Sequence, residues 1–307
     1  MAKAGNSDEA ELKELKTLVH AMKVGPSEKV RLQHYETSFT GKTLKKETAI
    51  EIMDQGLEQV SRLQDMLYAD DKHSLLIVLQ AMDTAGKDGA IKHVMSGLNP
   101  QGVRVTSFKR PSEHELDHDF LWRHYVALPA RGEIGIFNRS HYENVLVSKV
   151  HPEIVANEKL PGIDPDKPLH ASFWKERYHV INEFERILTQ SGTIVLKFFL
   201  HLSKDEQKRR LLSRIDDRSK NWKFSAADVH ERQYWDQYQS AYEDAISATS
   251  TSHAPWHIVP ADDKWWSRLA LTTVLHKTVE DLNLQYPTVS SEQLKVLAQA
   301  RKRLVSE

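Results

Sequence analysis

Cysteine is absent from all 307 residues. That excludes disulfides and thiolate metal sites, and it fits a reducing compartment. An excess of charge of one sign is also missing: 42 Lys and Arg stand against 43 Asp and Glu, a formal net charge of -1. Such a balance gives no support for general nucleic-acid or membrane-surface binding, so any affinity for polyanions has to come from a local basic cluster. No run approaches the roughly 20 apolar residues of a membrane span. The start of the chain, Met1-Ala2-Lys3-Ala4-Gly5-Asn6-Ser7-Asp8-Glu9, lacks the apolar core of a signal peptide. The expectation is a cytoplasmic protein with no membrane and no nucleic-acid partner. Repeats and low-complexity tracts are absent too. The length suits one large α/β domain with additions.

What the chain does have is the apolar run Ser74-Leu75-Leu76-Ile77-Val78-Leu79-Gln80, emptying into Ala81-Met82-Asp83-Thr84-Ala85-Gly86-Lys87-Asp88-Gly89. A helical pattern follows, with Ala90, Ile91, Val94 and Met95. Strand, small-residue loop with a Gly-Lys, then helix is the layout of a phosphate-binding P-loop. Backbone N–H groups cradle an anion, the helix N-terminus adds positive potential, and the lysine supplies a mobile point charge. The common pattern G-x-x-x-x-G-K-S/T would place Gly at 81 and a hydroxyl at 88, where this chain has Ala81 and Asp88. That hydroxyl normally helps to hold a metal. Here Asp83 and Asp88 flank the lysine, and magnesium prefers such hard oxygen ligands together with waters and substrate phosphates. The bland alternative, a plain turn with a solvated Lys87, is disfavoured by the order of strand, loop and helix.

Short apolar strands alternate with helical patterns along the rest of the chain. Helices are expected over 8–22, 46–68, 113–127, 171–190, 203–215, 225–248 and 262–284, and another begins after Ser140. Strands are expected over 74–80, 103–108, 133–137, 193–200 and 256–260. A loop with Pro161, Gly162, Pro165 and Pro168 precedes the helix at 171. This alternation predicts a parallel sheet covered by helices on both faces, with the ligand at the carboxyl ends of the strands. Asp83, Lys109, Arg110 and Asn138 all follow strand ends, so one cleft should gather them.

The third strand exits into Asn138-Arg139-Ser140-His141-Tyr142-Glu143. A carboxylate at such a strand end usually positions the metal of a P-loop enzyme, and Asn138 is a weaker ligand. Glu143 could supply the missing charge, yet Ser140-x-x-Glu143 also reads as a capping box, and spacing alone leaves the two roles open. Arg139, at a strand end beside a phosphate loop, has an obvious target. Lys109-Arg110-Pro111 leaves the second strand as a stiffened basic exit, while Arg123 reads first as a solvated charge. Residues 204–223 carry eight Lys and Arg against four Asp and Glu, net +4. A mobile basic segment that closes over phosphates is how kinases of this kind exclude water. Ser203-x-x-Glu206 and Ser225-x-x-Asp228 read as caps of its two helices, with the tip over 216–224. Arg210 and Arg214 share a helix face, and Trp222 among the cations needs a partner. The literal zinc-peptidase pattern His114-Glu115-Leu116-Asp117-His118 sits in an acidic helix without a third ligand and is set aside. The stripe Trp235, Tyr238 and Tyr242 reads as core packing.

These motifs together carry a resemblance. Over about residues 28–285 the chain resembles the polyphosphate kinase 2 family. The resemblance rests on Asp83-Thr84-Ala85-Gly86-Lys87-Asp88-Gly89, Phe137-Asn138-Arg139-Ser140-His141-Tyr142, Lys220-Asn221-Trp222-Lys223-Phe224-Ser225, Ala254-Pro255-Trp256 and Val259-Pro260-Ala261. It implies a P-loop kinase-like three-layer α/β/α fold with about five parallel strands and a helical lid over about 203–248. Residues 1–27 would then be an N-terminal extension and 286–307 a C-terminal helical tail. The reaction it implies moves a terminal phosphoryl group reversibly between inorganic polyphosphate and a nucleotide, with Mg2+, for which Mn2+ substitutes. Asn138 with Glu143 is similar to the subgroup that phosphorylates both AMP and ADP to give ATP, and guanine nucleotides and a homo-oligomer belong to the same expectation.

Carried over, Asp83 and Glu143 would serve metal and acceptor phosphate, while Lys87, Arg139, Arg210 and Arg214 would stabilise charge on the transferred group. Thr84, Ala85, Gly86, Asp88, Gly89 and Asn138 would line the phosphate loop. Lys109, Arg110, Arg123, Lys220, Trp222 and Lys223 become candidates for substrate contact. The alternatives are an ATP-dependent nucleotide kinase of the same fold and a non-catalytic nucleotide-binding module.

Overall fold

The computed structural model describes residues 2–164 and 166–307, with backbone alone for residues 2–8 and Lys223. Pro165 and the side chain of Lys223 lie outside the described residues. The strands are β1 (Ser74–Ala81), β2 (Val103–Ser107), β3 (Ile134–Asn138), β4 (Thr193–His201) and β5 (Trp256–Pro260). The helices are α1 (Ala2–Ala21), α2 (Lys46–Asp70), α3 (Lys87–Val94), α4 (Glu113–Leu116), α5 (Trp122–Tyr125), α6 (Val147–Val150), α7 (Glu153–Ala156), α8 (Ala171–Gln190), α9 (Lys204–Asp216), α10 (Ala226–Glu231), α11 (Trp235–Thr249), α12 (Lys264–Glu280) and α13 (Ser291–Val305).

The five strands form one parallel sheet in the order β2-β3-β1-β4-β5. Central β1 is buried along its whole length, which is why its sequence is a continuous apolar run rather than an alternation. Its odd-numbered residues Leu75, Ile77 and Leu79 join a core with α2, α3 and α12, while Leu76 and Val78 join a second core with α8 and α11. Helix α2 buries Ala49, Met53, Leu57, Val60 and Leu67 at helical spacing. Asp71, in the left-handed region at φ 52°, ends it by donating its N–H to Leu67 O.

Three expected helices are shorter or more broken than their periodicity implied. The segment 113–127 breaks into α4 and α5. Asp119 accepts the Leu121 N–H at 2.9 Å, and the side chain of His118 bonds to the backbone of His114. Short polar side chains that capture nearby backbone groups compete with helix in this way. After Ser140 comes a single 3-10 turn, His141–Asn144, before α6. The 225–248 helix is divided by a 3-10 turn at Arg232–Tyr234.

Residues near the N-terminus are built into the body. Leu15, Met22 and Val24 are buried. Val24 N–H donates to Trp256 O at 2.9 Å and Ile258 N–H to Met22 O at 2.8 Å, which covers the outer edge of β5. Helix α13 buries none of its side chains. Among the described residues no helix is long and apolar enough to cross a membrane.

Candidate active site

The register pairs Leu79 with Asn138, so β1 and β3 end side by side. From β1 the chain enters the phosphate loop, whose backbone is left-handed at Thr84 (φ 66°) and Gly86 (φ 105°). Gly86 tolerates this conformation without penalty and starts α3 as its N-cap. At the exit of β3, Arg139 is also left-handed, at φ 63°. For a residue with a Cβ that costs on the order of 1–3 kcal/mol and persists only where the surroundings hold it. The Arg139 N–H donates to Leu79 O at 3.2 Å, extending the strand pairing by one step.

Four charged side chains meet between these ends. The Lys87 ammonium donates to Ala81 O at 2.8 Å. Burial lowers its pKa, against the pull of the Asp83, Glu143 and Asp88 carboxylates. The Arg139 guanidinium bridges two acids, with Nη2 3.3 Å from Asp83 Oδ1 and Nη1 3.6 Å from Glu143 Oε2. Burial raises the Glu143 pKa, while Arg139, Lys87 and Gln80 oppose it. The two roles of Glu143 separate here. Ser140 Oγ accepts the N–H of Tyr142 rather than that of residue 143, and Glu143 turns its carboxylate to the cations. The expected capping box is not formed. Asn138 Nδ2 donates to Asp88 Oδ1 at 2.8 Å and approaches Ser107 Oγ at 3.4 Å, so its amide fixes the loop carboxylate.

Lys109 and Arg110 stand exposed beyond β2. Arg123 is not a solvated charge: its guanidinium lies 5.1 Å from the centre of the Phe108 ring and 3.3 Å from Glu115.

The basic segment behaves differently at its two ends. Arg210 is buried and donates only within the protein. Its Nε reaches Glu206 Oε1 at 2.6 Å, Nη1 reaches Thr84 O and Ala85 O at 3.1 and 2.8 Å, and Nη2 reaches Ala261 O and Asp262 O at 2.6 and 3.0 Å. A guanidinium has five N–H donors, and these contacts engage all of them. In this arrangement Arg210 clamps the phosphate loop to the segment after β5. Arg214, one turn on, instead pairs with Asp228 at 3.2 Å. Toward the tip, Lys220 pairs with Asp217 at 2.6 Å and Trp222 is 78% exposed. Ser203 caps α9 as expected, through Glu206 N–H. Ser225 caps α10 through Ala227 N–H, and Asp228 is left to Arg214.

One residue near the site left no signal in the sequence pattern. Gln207 Nε2 donates to Asp83 O at 3.1 Å and is itself held by Arg232 at 2.7 Å. Asp228, read from the sequence only as a cap, pairs with Arg214 at 3.2 Å and has its pKa raised by burial and by the Asp83 charge. Trp235 and Tyr242 are core residues as expected, but burial and the Glu143 and Asp83 carboxylates raise the Tyr242 phenol well above its usual range. Tyr238 donates its hydroxyl to Glu231 at 2.8 Å.

The zinc-peptidase pattern does not assemble a site. His118 stacks on Trp122 with ring centres 4.0 Å apart, and Glu115 closes a capping box with Ser112. Among the described residues no three His, Cys, Asp or Glu side chains are grouped to hold a metal. A magnesium site built on two carboxylates and substrate phosphates needs no such cage, and Asp83 with Glu143 fits that donor set.

Comparison with known proteins bears on this geometry. Residues 43–287 match the family model of polyphosphate kinase 2. An ADP-polyphosphate phosphotransferase of Rhodopseudomonas palustris is 48% identical over 95% of this chain and 100% of its own length. An AMP/ADP-polyphosphate phosphotransferase of Meiothermus ruber is 45% identical over 82% of this chain and 89% of its own. The crystal structure of a polyphosphate kinase 2 from Arthrobacter aurescens superposes with a TM-score of 0.84 at 38% identity, covering 94% of this chain and 97% of that one.

Proposed function

The chain belongs to the polyphosphate kinase 2 family and is a polyphosphate:nucleotide phosphotransferase; from that premise we propose that it phosphorylates both AMP and ADP, with Mg2+ as its metal and the cytoplasm as its compartment. The observation that carries this reading is the meeting of Asp83, Lys87, Arg139 and Glu143 at the adjacent ends of β1 and β3.

In the reaction an oxygen of the acceptor's terminal phosphate attacks the last phosphorus of polyphosphate. The bond to the bridging oxygen breaks, and a chain one unit shorter leaves. Such transfer needs positioning and charge neutralisation more than covalent catalysis. The N–H groups of Thr84, Gly86, Asp88 and Gly89, with Lys87, hold the donor phosphates, while Ala85 closes the loop by donating its N–H to Met82 O. Arg139, set between two acids, meets the charge that develops on the moving group. Arg210 shapes the loop from behind. Lys109, Arg110 and Arg123, beyond β2, take the acceptor's phosphates. Arg214, Lys220, Trp222 and Lys223 cover the donor chain, which has no base or sugar to recognise. Asp83 and Glu143 would hold the metal, whose chemistry is to neutralise phosphate oxygens.

Acceptance of AMP rests on Asn138 and Glu143 and on the 45% identity to the Meiothermus protein, whose name includes AMP. Guanine nucleotides as further acceptors and a homo-oligomeric assembly complete the reading. The test supplies AMP or ADP separately with polyphosphate and Mg2+, without ATP, and separates products by nucleotide chromatography. ADP and ATP from AMP, and ATP from ADP, are expected. Product from ADP alone would remove AMP from the substrates, and no product from either would overturn the reading.

A further inference from the structure

Behind the turn that carries Arg139 and Glu143 lies a buried ionic network that the reaction does not touch. Lys197 sits in β4 with its side chain wholly buried. Its ammonium donates to Glu185 Oε2 at 2.5 Å, to the Tyr142 hydroxyl at 2.9 Å and to Thr249 O at 2.7 Å. An ammonium has three donors, and all three are used. Glu185, on α8 and equally buried, accepts the Tyr142 hydroxyl at 2.8 Å, and His141 Nε2 lies 3.3 Å from the same oxygen. Gln80, the last polar residue of β1, donates to Ser140 Oγ at 3.0 Å. The turn therefore has two sides. Residues 140, 141 and 142 are anchored inward, and residues 139 and 143 project to the phosphate loop.

Buried ion pairs are poor sources of stability, because desolvation offsets their attraction. Directed hydrogen bonds do fix geometry, and all three Lys197 donors are engaged. Here they fix the segment next to a left-handed Arg139, a backbone that has to be held in place.

We propose that Lys197, acting with Glu185 and Tyr142, is a positioning residue for phosphoryl transfer: it anchors residues 140–142 so that Arg139 and Glu143 stand at the reacting phosphates. The inference rests on the roles given above to Arg139 and Glu143.

Two full-length variants test it. Tyr142→Phe removes the hydroxyl shared by Lys197 and Glu185 and keeps the ring. Lys197→Met combined with Glu185→Met removes both charges at once and leaves no lone buried ion. The expected result is a fall in kcat of about 10-fold or more with KM for polyphosphate nearly unchanged, the mark of misplaced groups rather than weakened binding. In the Glu143→Gln background Tyr142→Phe should cost clearly less than in the wild type, since part of its effect runs through that carboxylate and the rest through Arg139. Amide hydrogen exchange of the ligand-free variants should speed up at residues 139–143 and not in the interiors of β1 and β4. That readout holds whatever the reaction is, so a failure of the functional reading stays distinguishable from a failure of this inference. Wild-type kcat in the folded variants, an equal loss in the Glu143→Gln background, or exchange raised evenly across the sheet would each overturn it. If the double variant does not fold, Tyr142→Phe decides alone.

Discussion

The two faces of the sheet are made of different materials. Against α2, α3 and α12 the strands present Leu75, Ile77, Leu79, Leu196 and Phe198, an apolar packing surface. Against α8 and α11 they present apolar residues too, but with Gln80 and Lys197 among them, and these meet Ser140, Tyr142 and Glu185. The first face offers mainly shape, with the buried His257 against Phe198 as a polar member. The second face also carries direction, and the directed contacts lie under the turn that bears Arg139 and Glu143. Stability and catalytic geometry are thus separated across one sheet, and variants on the two sides should fail in different ways.

The largest effect belongs to the apolar face. Phe198→Ala should lose roughly 3–5 kcal/mol of stability by leaving a cavity, measured by denaturant unfolding, with kcat of the folded fraction close to wild type. A large loss of kcat at preserved stability would erase the distinction between the faces. Next comes the loop lysine. Lys87→Ala should reduce turnover by at least ~10²-fold, the scale for removing one donor to transition-state charge, while circular dichroism and melting stay unchanged. Near-normal turnover would mean that Lys87 is not at the reacting group.

Glu143→Gln should cut turnover by roughly 10-fold or more, as for an acid aimed at the metal or the acceptor phosphate, with a larger loss on AMP than on ADP and little change in melting temperature. The structure sharpens this expectation, because Glu143 does not cap its turn and so has little stability to give up. Equal and small losses on both nucleotides would leave Asp83 as the acid of the site. The smallest effect should come from His114→Ala with His118→Ala. His114 meets His118 edge to face and His118 stacks on Trp122, at the surface and away from both faces. Turnover and metal requirement should not change, and loss of a stoichiometric bound zinc would contradict that assignment.

The central strand and the phosphate loop were legible because β1 is a continuous apolar run that empties into small-residue turn chemistry, whereas β2, Val103-Arg104-Val105-Thr106-Ser107, shows only a short β-branched pattern at the sheet edge. The adjacency of Asp83 and Arg139 followed from strand ends alone. The break between α4 and α5 was not, since Asp119 and His118 end a helix only through side-chain bonds that periodicity does not register. Arg210 shows a deeper limit. Its spacing from Arg214 says that the two share a face, but not that the carbonyls of Thr84 and Ala85, about 125 residues earlier, wait there. Gln207 was missed for the same reason, its partner Asp83 being 124 residues away. Lys197 left a signal, a lone cation inside an apolar strand, and a charge in that position calls for a buried partner.

The central step is direct transfer of a phosphoryl group from polyphosphate to the nucleotide. Polyphosphate labelled in its terminal phosphate, incubated with AMP and Mg2+ and no ATP, tests it most directly. The label should appear in the β-phosphate of ADP, at a rate that falls with Lys87→Ala. Label released only as inorganic phosphate, with AMP unchanged, would contradict it.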